Sequence, residues 1–412
     1  MNLRACRIGP TQRSSHLKLC SLILLILGVV LARSDQVHAA NAPAASPAGD
    51  SAAVETASIE QIAQLVSQLG SASFAERERA TRRLVELGVA GRAALVEACM
   101  SADAEVRVRA RAVLAAVSEA DFRDRLEAFL ADYDGTRKQT LPGWEQFVSM
   151  FGSGRQARQI FAEMQRAEPE LMEAFSKDAK TASEAVVARS QSISQQAMQS
   201  PREGLISMGT VASMLLVGGS QDVSIDEQLG VQVYAWMIYQ PVFQKNAASG
   251  VWSPMLKKLL GRWVVKDASP TATVQNLLFA AAYELKSEAL VLATRVLSDE
   301  HNHSNTRQYA ILIAGRFGGK DELPMIERLL SDKTSCGTFQ ANNPPRQVDL
   351  QIRDIALAVA VHLTGQNIRD YGFQSAQPNA TTLFQVATLI FNDPARREEA
   401  LKKWAQWRAE HP

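Results

Sequence analysis

From Ser58 almost to the end of the chain, leucines and alanines recur at intervals of three and four residues, and period-two alternation is scarce. The pattern predicts an all-α chain. It also repeats. "SFAERERATRRLVEL" from Ser73 and "DAEVRVRARAVLAAV" from Asp103 align at an offset of 30, with Arg77 on Arg107, Arg79 on Arg109, Ala80 on Ala110 and Leu84 on Leu114. Near the other end "RVLSD" (295–299) matches "RLLSD" (328–332), and Arg307, Ala310, Ala314 share a skeleton with Arg353, Ala356, Ala360. An arginine followed by alanines three and seven residues later lies on one helical face. The alanines admit a neighbouring helix closely, and the arginine can reach the next unit. Four residues before the arginines stand Ser73, Asp103 and Asp349, all suited to cap a first turn. At Arg307 that position is His303, with Ser304 and Asn305 as better caps beside it. Hairpins this small cannot bury their apolar faces alone, so they are expected to stack in series.

Those motifs carry a resemblance. An acidic cap, "VR", an alanine-rich helix, a short turn, "LP", a second helix and "LLSD" resemble HEAT-type repeats, including the short alanine-rich kind in phycobilisome-lyase-like proteins. "IRDIALAVAVHLTGQNIRDYGF" and "GWEQFVSMFG" with "FAEMQRAEPELMEAF" are similar to bacterial secretory proteins with HEAT-like repeats. The resemblance covers about residues 58–118 and 272–366. It implies an α-solenoid and protein–protein scaffolding, and brings no catalytic residues with it.

The organisation expected is a signal peptide over 1–39, an Ala/Pro/Ser-rich leader over 40–57 and a helical block over 58–134. An irregular helical middle over 135–270, a second block over 271–392 and a terminal helix over 393–412 follow. Arg4, Arg7, Arg13 and Lys18 precede the apolar run Leu19–Ala32, and "VHA" ends at Ala39. The run falls short of the roughly 20 apolar residues of a membrane helix and suits an export signal. Cleavage after Ala32 and a retained N-terminal anchor are the alternatives. The destination expected is periplasmic or extracellular. In the middle, "SKDAKTASEAVVARSQSISQQAMQS" reads as a surface helix or mobile insertion, and "LISMGTVASMLLVGG" as a buried helix. Asp393 and Pro394 open a last helix whose Trp404 and Trp407 share a face and are expected to cap the stack.

Charge narrows the function classes. Without residues 1–39, 39 basic residues face 42 acidic ones, a net charge of −3 that gives nucleic acid no electrostatic footprint. Cys99 and Cys336 remain, too few for a disulfide framework. The arginines at 77, 79, 82, 83, 92, 107, 109 and 111 interleave with Glu76, Glu78, Glu86 and Glu105, which reads as a salt-bridged helix face. "GRFGGKDE" (315–322) lacks the first glycine and the hydroxyl residue of a phosphate loop. It reads as a helix–helix corner, with Gly318 and Gly319 as a left-handed cap, Asp321 as the next N-cap and Pro324 in an early helical position.

Catalytic signals are sparse. "DEHNH" (299–303) gathers Asp299, Glu300, His301 and His303 in a turn where zinc or copper ligands are conceivable, and a polar corner is the plainer reading. His362 is read as a core histidine. No nucleophile elbow, zinc-protease helix or dinucleotide fingerprint occurs. The expected role is therefore a non-enzymatic scaffold for a protein partner, with no cofactor and no metal. Two stretches stand out as partner-binding candidates. One is the long connection 333–348, with Cys336, Phe339, Asn342, Asn343 and Arg346. The other is the aromatic middle, with Trp236 and Trp252. A small-ligand or glycan receptor built on those aromatics, and a metal-dependent hydrolase at 299–303, are the competing readings.

Overall fold

The computed structural model describes residues 58–199, 206–225, 230, 238, 240–266, 270–342 and 345–411, all within one unit, Ala57–Pro412. The fold is mostly helical. Helices α1 (Ile59–Gln68) and α2 (Phe74–Leu87) form a first antiparallel pair, and α3 (Arg92–Ala98) with α4 (Ala104–Ala131) a second. Both obey the offset of 30. Arg77 Nη1 donates to the carbonyls of Ser71 (2.7 Å) and Ala72 (3.2 Å), and Arg107 Nη1 to those of Ser101 (2.7 Å) and Ala102 (2.8 Å). Each arginine thus ties down the turn that precedes its own helix. Between the pairs, Arg109 reaches Glu78 at 2.9 Å and Arg77 faces Glu105 at 3.5 Å. Of the interleaved acids, Glu78, Glu86 and Glu105 pair with arginines, and Glu76 accepts from the Ser71 hydroxyl.

Offset positions also differ between the two pairs. Val106 and Val113 of α4 are buried, and their equivalents in α2 are Glu76 and Arg83, with Arg83 bridged to Glu86 at 3.1 Å. The second pair carries buried valine where the first carries charge.

The long helix α4 contributes Val106, Ala110, Val113 and Val117 to one buried cluster and Leu126 and Phe129 to another. The second cluster runs through α5 (Trp144–Phe151), α6 (Arg155–Ala167), α7 (Pro169–Lys177), α8 (Ala179–Gln199) and α9 (Met208–Gly218). It continues into α10 (Pro241–Ala248), α11 (Ser253–Val264), α12 (Pro270–Ala282), α13 (Lys286–Leu297) and α14 (Ser304–Phe317). Then come α15 (Leu323–Glu327), a β-hairpin, α16 (Ile352–Leu363) and α17 (Pro394–Glu410). A two-residue pair, Pro378–Asn379 with Leu383–Phe384, lies between the last two helices in sequence. No described helix is long and apolar enough to cross a membrane.

Helix α9 is buried at every residue from Gly209 to Gly218, and it packs against α6 and α11. Its glycines permit that. A Cβ on Gly209 would sit 2.4 Å from the Glu163 carbonyl, and one on Gly218 2.6 Å from Trp263 Cζ3. The helix ends on Lys266, whose Nζ donates to the carbonyls of Gly218 (2.7 Å), Ser220 (2.7 Å) and Val223 (2.5 Å). Burial depresses the Lys266 ammonium to about 8. The polar segment 179–199 is a helix that buries Ala182, Val186, Ser190, Ile193 and Ser194 against its neighbours. Small side chains there replace the large apolar ones that sequence reasoning looks for.

Several local expectations need correction. Asp103 caps α4 through bonds to Glu105 N and Val106 N, but Ser73 makes no such bond at α2. The cap of α16 is Gln351, which forms a capping box with Asp354, and not Asp349, which is paired in the hairpin. His303 itself is the cap residue of α14, without a side-chain bond. The 315–322 corner does join two helices, yet Gly318 and Gly319 have φ of −82° and −147°, outside the left-handed region. Gly318 is needed for close approach, since a Cβ would meet the Ala314 carbonyl at 2.5 Å. Gly319 precedes a short 3-10 turn, Lys320–Glu322, that contains Asp321; the cap residue of α15 is Glu322, and Pro324 does sit in its first turn.

Candidate functional site

The connection 333–348 is the largest departure from the all-helical expectation. It is largely a hairpin in which β1 (Ser335–Asn342) pairs antiparallel with β2 (Pro345–Gln351). The register sets Gly337 opposite Leu350 and Phe339 opposite Val348, with a shift between Ser335 and Gly337. Gly337 has φ +118°, a conformation that favours glycine.

Buried charges anchor the base of this ribbon. Arg307 of α14 bonds to the Asp332 carboxylate. The Arg353 N–H donates to the Asp332 carbonyl at 3.0 Å, and its guanidinium reaches Glu398 at 2.9 Å. Arg397 of α17 grips Asp354 of α16 with two bonds of 2.7 and 3.0 Å and donates to the Asp349 carbonyl at 2.8 Å. Side-chain exposure is 1% for Asp354 and 7% for Arg397. A two-pronged guanidinium–carboxylate bond fixes orientation as well as distance. Burial raises the Asp354 carboxyl, while Arg397 and the Gln351 N–H draw it back. Burial also works to raise Asp332, but the Thr334 hydrogen bonds and Arg307 outweigh it and hold the carboxyl below its ordinary range. Asp349 accepts from the Ser335 hydroxyl and the Gln351 side chain. Three helices, α14, α16 and α17, therefore hold one short ribbon.

The ribbon has an inner and an outer side. Cys336 and Phe339 are half-buried against the core, and Leu350 is fully buried. Cys336 and Phe339 therefore lie on the inner side of the ribbon, each partly accessible. Burial, reinforced by Asp354 and Asp332, pushes the Cys336 thiol up to about 12. Thr338, Gln340 and Gln347 are exposed. Asn342 and Arg346 belong to the paired strands, opposite Pro345 and Ala341. Asn343 lies outside the described residues.

The other candidates separate in the fold. Trp236 lies outside the described residues, with Tyr234 and Tyr239. Trp252 is only 7% exposed and Trp263 is buried, and the ring of Phe243 meets Tyr283 edge-on at 5.6 Å. Trp252 thus packs into the core. At 299–303, the Asp299 carboxylate takes both the backbone N–H and the ring of His301, at 3.0 and 3.1 Å. That ring is 88% exposed, and among the described residues no three His, Cys, Asp or Glu side chains are gathered as metal ligands. His362 is exposed at the end of α16, edge-on to Phe384, and is not a core residue. Its apolar sequence neighbours point to other helix faces. Cys99 and Cys336 are both free thiols.

A site that the sequence did not single out lies where α4 ends against α6. A groove of about 620 Å³ is lined by Leu130, Tyr133, Arg155, Arg158, Gln159, Glu163 and Arg166. Its floor is rigid. Arg158 is buried, donates to the Phe129 carbonyl at 3.1 Å, faces Asp132 at 3.6 Å and lies over the rings of Phe129 and Trp144. Asp132 is itself held by the N–H groups of Arg137 and Gln139, at 2.8 and 2.9 Å. At the rim the Arg155 guanidinium stacks 4.6 Å from the Tyr133 ring. In sequence, Arg155, Gln159, Glu163 and Arg166 look like any solvated helix stripe, and only the fold brings Tyr133 beside them.

Set against protein-family models, curated proteins and solved structures, the chain matches none.

Proposed function

We propose that this chain is an exported, non-enzymatic scaffold of HEAT-like helical repeats, and that it engages a protein partner through the outer side of the β1–β2 ribbon. The observation that carries this reading is the buried ionic base of the ribbon. Burying charges costs more than burying apolar groups, so such pairs are weak evidence for stability and better understood as fixing a position. Here the fixed object is a polar strand pair carrying Thr338, Gln340 and Gln347. The repeat reading is supported by the shared bonds of Arg77 and Arg107 and by the charged outer face of α2. Export is supported by the basic start, the short apolar run and the small residues at Ala39. Affinity capture from the envelope fraction, with the natural chain and a Gln340→Arg/Gln347→Glu variant side by side, tests it. A protein recovered reproducibly with the first and lost with the second is expected. Equal recovery with both would remove the ribbon from the interaction.

A further inference from the structure

We infer that the groove between the end of α4 and α6 is a docking site for an extended acidic peptide segment. The inference rests on the scaffold reading above and specifies the chemistry of a partner segment. Arg155 and Arg166 are both exposed, and neither forms an ion pair among the described residues. Stacking on Tyr133, which is 53% exposed, holds the Arg155 guanidinium at the rim before any ligand arrives. A pre-ordered cation loses less freedom on binding than a solvated one.

Arg155 and Arg166 stand eleven residues apart on one helix, about 16 Å at 1.5 Å per residue. An extended chain rises about 3.3 Å per residue, so two carboxylates five residues apart span that distance. Between the arginines lie Gln159, able to donate and accept, and Glu163, able to accept a peptide N–H. That alternation of cation, amide, acceptor and cation suits a peptide with acidic ends and a neutral middle. Glu163 disfavours a ligand charged along its whole length, such as a polyphosphate. Arg158 stays on the floor, tied to Asp132 and to backbone carbonyls, and shapes the groove without having to move.

The test is fluorescence anisotropy of the full chain with a fluorescein-labelled hexapeptide, aspartate at both ends and glycine and serine between. Saturable binding is expected in the micromolar to millimolar range, because exposed ion pairs are individually weak, and it falls as salt is added. Arg155→Glu/Arg166→Glu is expected to weaken it by roughly tenfold or more while far-UV circular dichroism stays unchanged. A peptide with asparagine at both ends is expected to bind no better than that variant. The milder Arg166→Gln, which leaves the groove floor untouched, is expected to fall between. Absence of binding, or equal binding by natural chain and double variant, would overturn the inference. So would tight binding of inorganic polyphosphate without binding of the peptide. Capture through the ribbon is independent of these arginines, so its persistence in the double variant separates failure here from failure of the scaffold reading.

Discussion

Removing the charge of Asp354 should be among the most damaging single changes in the chain. Its carboxylate is 1% exposed and takes both prongs of Arg397, itself 7% exposed. Asp354→Asn leaves a buried guanidinium with a neutral partner, a loss of about 3–5 kcal/mol. Asp354→Leu/Arg397→Met removes both charges. It also strips the Gln351 N–H and the Asp349 carbonyl of partners, about 1 kcal/mol each. Apolar packing offsets about 1–4 kcal/mol of that, so the double variant is expected within about 2 kcal/mol of the natural chain. Urea unfolding followed by far-UV circular dichroism reads both. At a slope of about 3 kcal/mol/M the single variant should shift the midpoint down by about 1–1.7 M, and the double variant by much less. If the double variant instead costs at least as much as Asp354→Asn, the pair is not coupled and the account of the ribbon's base is wrong.

Further outcomes follow from other contacts. With Cys99→Ser as background, Cys336 should resist a disulfide reagent at pH 8 and react at once in denaturant, since its thiol is pushed up to about 12. Rapid native labelling would contradict this. Asp332 has a folded pKa below its unfolded value, so its contribution is present above about pH 4, the unfolded range. It is lost as pH falls through the folded value. Arg307→Met should therefore lessen the acid sensitivity of hydrogen exchange in β2, and an unchanged pH profile would contradict the assignment. Lys266→Met leaves three carbonyls without their donor and should cost about 2–3 kcal/mol in the same urea assay. Gly218→Leu drives a side chain into Trp263 and should cost about 1–3 kcal/mol, read as a lower thermal midpoint.

The helical units around Arg77 and Arg107 were legible because each bonds within six residues of itself, and local bonds leave a local signature. The buried helix at 208–218 was legible from its unbroken apolar and small residues. The ribbon was not. Its inner residues, Cys336, Phe339, Val348 and Leu350, are too few and are broken in period by the irregularity at Gly337. Nor does spacing announce that Arg397 meets Asp354 across 43 residues. His362 misleads because apolar neighbours in sequence say little about which face a residue occupies. The groove is assembled from the tail of one helix and the flank of another, so its arginines read as ordinary surface until Tyr133 is placed beside them.

The claim that the ribbon meets a protein partner is tested most directly by a photo-crosslinking residue at Gln340, irradiated in the envelope fraction. The account predicts one reproducible adduct absent when the same residue is placed at Ile59, which lies exposed on α1, the first described helix. The same adducts from both positions, or none from Gln340, would contradict it.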